Sequence, residues 1–296
     1  MSEETPDQER YQVTGHDYCA DQVRRHDHDR FICTLFAKPH ARAGLHALLA
    51  FNLELARIRE AVSQPLLGQI RLKWWSEALD GVFAGKPPQH AIAGALADTV
   101  RRFDLPRDPF DTLIEARNLD MTDAAPADLA TLIDYAEGTS AALFDLKLSI
   151  LGVAAPAARA AARDVGVAWA LTGLARAVPF HARARRIYLP ADLNRDAGLD
   201  VFRLFDGRLS DPRVAESLAQ VVTHVAESAR SRLAAARARH RQVPKPALPA
   251  LLPATMATRD LRRLRRAGYN PFKLASDQRG AGRLLAVAWN AARGRY

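Results

Sequence analysis

Arginine is the side chain best suited to chemistry in this sequence, because it is frequent and clustered. The chain has 42 lysines and arginines against 33 aspartates and glutamates, a formal net charge of +9. Arg183, Arg185 and Arg186 precede Tyr188 in a predicted loop, and five more arginines lie within residues 259–266. Such clusters can bind a phosphorylated ligand or an anionic membrane, or they can simply be solvated. We expect a solvated loop for the first cluster and membrane or partner contact for the second.

Carboxylates are scarce in two helical segments, residues 50–60 and 165–190. Glu54 and Glu60 are the only acids of the first segment, and the second has none. Residues four apart stack on one face of a helix, whereas residues six apart do not. A site for two or three Mg²⁺ ions needs several carboxylates, so these segments do not supply an ordinary one.

The cysteines and histidines, which could in principle bind a metal or form a disulfide, are not spaced for either role. Cys19 and Cys33 lie 14 residues apart, about 21 Å along one helix, which is too far for a disulfide. The histidines near the start of the chain are not at zinc spacing. Residues 1–10 are polar and acidic, and no apolar run approaches the ~20 residues that cross a bilayer. We expect a cytoplasmic protein, at most peripheral at the inner face of the membrane.

Helical periodicity runs through almost the whole chain and predicts an all-α fold. Helices are expected at residues 16–36, 41–62, 65–79, 89–103, 106–118, 127–151, 157–178, 213–241 and 280–293. Alternating strands and fixed-period repeats are not found. The predicted organisation is a flexible tail over residues 1–15 and one domain over residues 16–296.

Two motifs resemble the signature helices of the squalene/phytoene synthase family. Residues 50–60 read AFNLELARIRE, and residues 165–190 read VGVAWALTGLARAVPFHARARRIYLP. The resemblance implies a single-domain isoprenoid synthase fold with helices around a central cavity. In active members, aspartates on both helices bind Mg²⁺, which neutralises the charge of a diphosphate leaving group.

This chain departs from the family pattern at the positions that carry those aspartates. The first helix has Ala56 and Arg57 there, with Glu60 at the last acidic position, and the second has Gly173 and Ala177. His181 replaces a further acid at a helix end, where the helix dipole favours a cation. Residues 28–31 loosely match an element that holds diphosphate in the family. The resemblance leaves four candidate residues for binding in the cavity: Arg30, Glu60, Arg176 and Tyr188.

One branch of the superfamily resembles the chain more closely. Residues 51–59, 65–79 and 135–140 are similar to the complex I assembly factor 6 family, whose members lack the aspartate-rich motifs. This resemblance implies a role in building the peripheral part of respiratory NADH dehydrogenase. Since no presequence precedes the domain, a bacterial cytoplasmic protein or a mature form is expected.

Together these observations predict a catalytically inactive, synthase-like protein that acts in complex I assembly without a metal cofactor. Two alternatives stay open: an active prenyltransferase that condenses isoprenoid diphosphates with Mg²⁺, and a non-catalytic isoprenoid- or lipid-binding protein. The expected partners are a complex I subunit or assembly partner, an isoprenoid or lipid ligand, and an anionic membrane surface. Nucleic acid is not expected, because no recognised DNA- or RNA-binding motif accompanies the arginines.

Overall fold

Helices form all the regular secondary structure of the residues that the computed structural model describes, which are 14–122, 124–207, 211–274 and 281–296. This confirms the predicted all-α class. Most of the predicted tail, residues 1–13, lies outside the described residues. The α-helices of the described residues are α1 (Gly15–His26), α2 (His28–Thr34), α3 (Pro39–Arg57), α4 (Pro65–Phe83), α5 (Ala91–Phe103), α6 (Asp108–Ala116), α7 (Leu129–Ala136), α8 (Ala142–Ile150), α9 (Pro156–Arg183), α10 (Ala191–Asp196), α11 (Val201–Phe205), α12 (Pro212–Ala238), α13 (Leu248–Leu251), α14 (Pro253–Arg266) and α15 (Ala281–Ala292).

The predicted helix over residues 16–36 is two helices in the structure. Asp27 leaves the helical region with φ −142° and ψ 53°, which ends α1 and redirects the chain into α2. Cys19 and Cys33 therefore lie on different helices, where both are free and buried. Local periodicity missed this break because both halves have helical spacing.

The described residues form two large apolar cores, one around α3 and one around α9, and a smaller apolar cluster that includes Ile32 and Met256. Leu48 and Phe51 of α3 are fully buried in the first core, among residues of α1, α4, α5 and α6. Leu171 of α9 is fully buried in the second, among residues of α12 and α14. Helix α8 joins the two, because Leu146 belongs to the first core and Phe144 to the second.

A π-helical turn at Glu137–Ala141 interrupts the predicted helix over residues 127–151 and separates α7 from α8. Gly166 of α9 packs directly against this turn: a Cβ at that position would lie 2.8 Å from the Cα of Ala141. Only glycine allows so close an approach. The contact fixes α9, which carries the second signature motif, against the start of α8.

Helix α9 is the longest of the described helices and continues past the predicted end at residue 178 to Arg183. Pro179 lies inside it, near that end. Helix α14 occupies residues that follow a proline-rich break, and its start at Pro253 uses proline in the first turn, where no N–H is needed. None of the described helices is both long and apolar enough to cross a bilayer.

Candidate functional site

One face of α9 is open, and it carries the positions where the family resemblance places aspartates. Gly173 is exposed, and a Cβ added there would meet no atom within 4 Å. Ala177 lies one turn further along and is half-buried, and Phe180 is 51% exposed. The side chains on this face therefore offer no ligand for a cation.

Arg176, beside this face, is bound by a buried carboxylate. Its guanidinium forms an ion pair with Asp260 of α14, whose side chain is only 1% exposed. Arg283 of α15 donates to the same carboxylate from Nη1 at 2.9 Å and from Nη2 at 3.1 Å. Arg283 also donates from Nε to Asp29 of α2 at 2.9 Å, and from Nη2 to its second oxygen. We call Asp29, Arg176, Asp260 and Arg283 the paired cluster.

The paired cluster joins four helices through charges that largely neutralise one another. Asp29 comes from α2, Arg176 from α9, Asp260 from α14 and Arg283 from α15. Burial raises the pKa of the Asp29 carboxyl, and the facing Arg283 opposes that shift. Burial alone would lower the pKa of Arg283, but hydrogen bonds to Asp260 and Asp29 outweigh it and raise the pKa. Arg283 therefore stays charged, and both arginines already have anionic partners.

Arg30 lies at the edge of the same region and is also paired. Its Nε donates to Asp27 at 2.5 Å, and the two side chains are 11% and 8% exposed. The guanidinium lies over the ring of Trp169 on α9, 5.9 Å from the centroid. The structure thus brings Arg30 to the helix that carries Arg176, one residue after Asp29 of the paired cluster.

Tyr188 belongs to a second polar cluster, centred on Asp120, which is 3% exposed. The hydroxyls of Tyr188 and Tyr135 both donate to Oδ1 of Asp120 at 2.7 Å. Arg117 donates to Oδ2 of the same carboxylate at 3.2 Å, and Arg186 donates to the Tyr188 hydroxyl at 2.6 Å. These contacts hold Tyr188 in place and leave its oxygen occupied.

Burial dominates the electrostatics of this second cluster. It raises the pKa of Tyr135 and Tyr188, and Asp120 raises both further, so both phenols stay protonated at neutral pH. Burial also lowers the pKa of His181 to about 4, helped by the positive charge of Arg186. The expectation that the helix dipole keeps His181 protonated was therefore wrong. Lost hydration lowers the pKa of this partly buried ring by more than the dipole raises it.

Glu60 lies apart from both clusters. Helix α3 ends at Arg57 instead of continuing to residue 62, and its last turn tightens, with the Ile58 N–H donating to Leu55 O at 3.3 Å. Glu60 is exposed in the turn that follows. The predicted continuation of this helix to residue 62 was therefore wrong, so Glu60 does not share a helix with Ala56.

Two carboxylates that organise this region, Asp120 and Asp260, were not among the residues predicted from the sequence. Asp260 is 84 residues from Arg176, and Asp120 is 68 residues from Tyr188. The only sequence signal for Asp260 was that it is the single acid within the arginine-rich residues 259–266. Across the described ranges, no three histidine, cysteine, aspartate or glutamate side chains come together in a way that could hold a metal ion.

Comparison with known proteins agrees with this geometry. The profile described as "Squalene/phytoene synthase" matches residues 23–287, which is most of the chain. The chain belongs to the squalene/phytoene synthase family. Solved structures support the fold: squalene synthase HpnC from Alicyclobacillus acidocaldarius superposes with a TM-score of 0.75 at 22% identity, over 87% of this chain and 95% of that one. A dehydrosqualene synthase in complex with ligand gives 0.80 at 17% identity, over 94% and 95%.

Within the family, the chain falls in the branch of "NADH dehydrogenase (ubiquinone) complex I, assembly factor 6". It is 32% identical to the Bos taurus protein of that name, over 86% of this chain and 75% of the relative. The Homo sapiens protein is 29% identical, over 88% and 77%. The chloroplastic phytoene synthase 3 of Zea mays is 28% identical, over 65% of this chain and 46% of the relative. The predicted family and branch are both confirmed.

Proposed function

We propose that this protein is a non-catalytic member of the synthase family that assists the assembly of respiratory complex I. The paired cluster is the observation that carries the non-catalytic part. Arg176, beside the open face of α9, already binds Asp260, and Arg283 of α15 binds both Asp260 and Asp29. A diphosphate would have to displace two largely buried carboxylates to reach them, leaving those charges without partners.

The residues at the aspartate positions of the family do not fit the Mg²⁺ that the family fold implies. Ala56, Gly173 and Ala177 occupy the aspartate positions, and none of them has an oxygen-bearing side chain. Asp29 and Asp260, the acids of the paired cluster, are both engaged by arginine. We therefore propose no metal cofactor and derive no reaction step through one.

The assembly role rests on the relatives in the same branch, which are named as assembly factors of complex I. The similarity to the Bos taurus protein extends over 86% of this chain, so it is a similarity of the whole domain and not of one motif. We propose that the partner is a complex I subunit or another assembly protein. The proposed location is the cytoplasm, peripheral to the inner face of the membrane.

Deletion of the gene tests the assembly role. We expect less fully assembled complex I on native gels and a proportional loss of NADH:quinone oxidoreductase activity in membranes. Succinate dehydrogenase activity should be unchanged, which separates a specific effect from general loss of respiration. Plasmid-borne wild-type protein should restore assembly, and normal complex I in the deletion strain would overturn the role.

A separate assay tests the non-catalytic part. Purified protein is incubated with farnesyl or geranylgeranyl diphosphate and Mg²⁺, and released pyrophosphate is measured. We expect no release above the protein-free control, because the face lacks metal ligands and its arginines are occupied. Turnover would favour the active prenyltransferase instead. Binding of an isoprenoid diphosphate without turnover would favour an isoprenoid-binding protein.

A further inference from the structure

A pocket whose lining includes no residue of α9 has an unusual composition. It has a volume of about 580 Å³ and lies between the end of α12, one side of α14, α15 and the last residues of the chain. Its lining is formed by Arg237, His240, Thr255, Thr258, Arg259, Arg262, Ala286, Trp289, Asn290, Arg295 and Tyr296. We call it the arginine pocket.

The arginine pocket holds more positive charge than its surroundings neutralise. It is lined by four arginines and one histidine, and no aspartate or glutamate appears among the described residues of its wall. Arg259, Arg262 and Arg295 are exposed, and within the described ranges they form no ion pair. Asp260, the adjacent acid in sequence, is buried in the paired cluster.

Arg237 anchors one wall of the pocket and is fixed in place. Its Nε donates to the backbone oxygen of Tyr296 at 2.8 Å, and its Nη2 donates to Thr258 Oγ1 at 2.7 Å. Lost hydration lowers the pKa of Arg237, and the positive charge of Arg262 lowers it further. The residue as a whole remains exposed.

Neutral donors and an aromatic ring complete the lining. The Asn290 amide donates to Thr255 Oγ1 at 2.9 Å, which orders both side chains at the pocket wall. The indole of Trp289 is 61% exposed at the rim, with Arg293 over its ring at 4.3 Å. The volume exceeds that of a single inorganic anion, so an organic ligand with charged groups fits.

We propose that the arginine pocket binds the phosphate groups of an anionic ligand. Several guanidinium groups converging without carboxylates favour a ligand with more than one negative charge and many acceptor oxygens. Phosphate meets both requirements, whereas a single carboxylate would leave most of the guanidinium groups unbalanced. The site lies on α12, α14 and α15, and none of its lining residues belongs to the paired cluster.

The test compares two double variants of α14 in the full-length protein. Arg259→Ala with Arg262→Ala removes two charges from the pocket. Arg265→Ala with Arg266→Ala removes two charges from exposed residues of the same helix that do not line it. Binding of inorganic pyrophosphate is measured by calorimetry at constant ionic strength. Binding to phosphatidylglycerol vesicles, with phosphatidylcholine as control, is measured by co-sedimentation. Circular dichroism checks that both variants are folded.

We expect the pocket variant to weaken binding about tenfold or more, and the control variant to change it less than about twofold. Loss of pyrophosphate binding would identify a soluble phosphorylated ligand. Loss of vesicle binding alone would identify a lipid headgroup, and either result supports the proposal. Equal losses in both variants would show diffuse surface charge and overturn it. Failure of the wild type to bind either probe would also overturn it. None of these binding results tests the proposed role in complex I assembly.

Discussion

The paired cluster and the arginine pocket use the same side chain in opposite ways. Arg283 is 5% exposed and bonded to two carboxylates, whereas Arg259 and Arg262 stay exposed beside other cations. Helix α14 contributes to both regions, with Asp260 on its buried face and Arg259 and Arg262 on its open one. One helix therefore separates arginines that hold the fold together from arginines available to a ligand.

The difference follows from hydration. A charge removed from water is stable only when an opposite charge and hydrogen bonds replace the water. Arg283 meets that condition through Asp29 and Asp260. The arginine pocket keeps its cations in contact with solvent, so they need no fixed partner and can exchange water for an anion.

Removing Arg283 should have the largest effect on stability. Arg283→Met leaves Asp29 and Asp260 with fewer partners in a buried setting, so the free energy of unfolding should fall by about 4 kcal/mol. Urea denaturation measures the change. Arg101→Ala, at a side chain 83% exposed and paired with Asp98, should change it by less than about 1 kcal/mol. Similar losses in the two variants would show that Arg283 contributes no more to stability than an exposed, paired arginine.

Acid should destabilise the protein through two histidines, the buried His46 and the partly buried His181. Burial lowers the pKa of His46 and of His181 to about 4 from the usual 6.5. As pH falls from 6.5 to 4, the unfolded chain binds protons that the folded protein does not. The free energy of unfolding should therefore fall by up to about 3 kcal/mol per histidine.

Substitution separates these histidines from others. His181→Gln should reduce the fall in stability between pH 6.5 and 4.5, measured by urea denaturation at each pH. His224→Gln, at an exposed position, should leave it unchanged. An unaltered pH dependence in His181→Gln would mean that the ring is hydrated, and that burial does not control its charge.

Lys147 is a buried cation without the carboxylates that Arg283 has. It is 1% exposed, with Nζ 4.1 Å from the Phe144 ring centroid and 3.4 Å from the Ala250 carbonyl oxygen. Burial lowers its pKa to about 8 from 10.5. Between those values the unfolded chain binds more protons, so stability should rise with pH.

Lys147→Met should therefore stabilise the protein by about 2 kcal/mol at pH 7, and it should remove this rise between pH 8 and 10.5. Thermal and urea unfolding give both quantities. Lys73→Met, at a side chain 78% exposed, serves as the control. Destabilisation by Lys147→Met would show that the favourable interactions of the ammonium group outweigh the cost of burying it.

Substitutions in the arginine pocket should have the smallest effect. Arg262→Ala removes an exposed cation close to Arg237, so the free energy of unfolding should change by no more than about 0.5 kcal/mol. Urea denaturation of Arg262→Ala and Arg283→Met under the same conditions checks this difference in stability directly. A loss above about 1.5 kcal/mol would mean that Arg262 supports the fold and is not free for a ligand.

Particular residues show how far sequence reasoning reached. The start of α4 at Pro65 followed from proline chemistry, and the two signature motifs were enough to identify the family. Arg176 and Tyr188 were recognised as candidates, but their partners were not. Those partners, Asp260 and Asp120, come from separate helical regions 84 and 68 residues away.

The sequence by itself determined the all-α class, the family and the replacement of aspartates by Ala56, Gly173 and Ala177. These properties depend on residue type and local spacing, which the chain displays directly. Only the tertiary structure decided which arginines are neutralised, that Glu60 lies beyond the end of α3, and that His181 stays uncharged. Each of these depends on lost hydration and on carboxylates brought from distant segments, and both are created only when the helices pack.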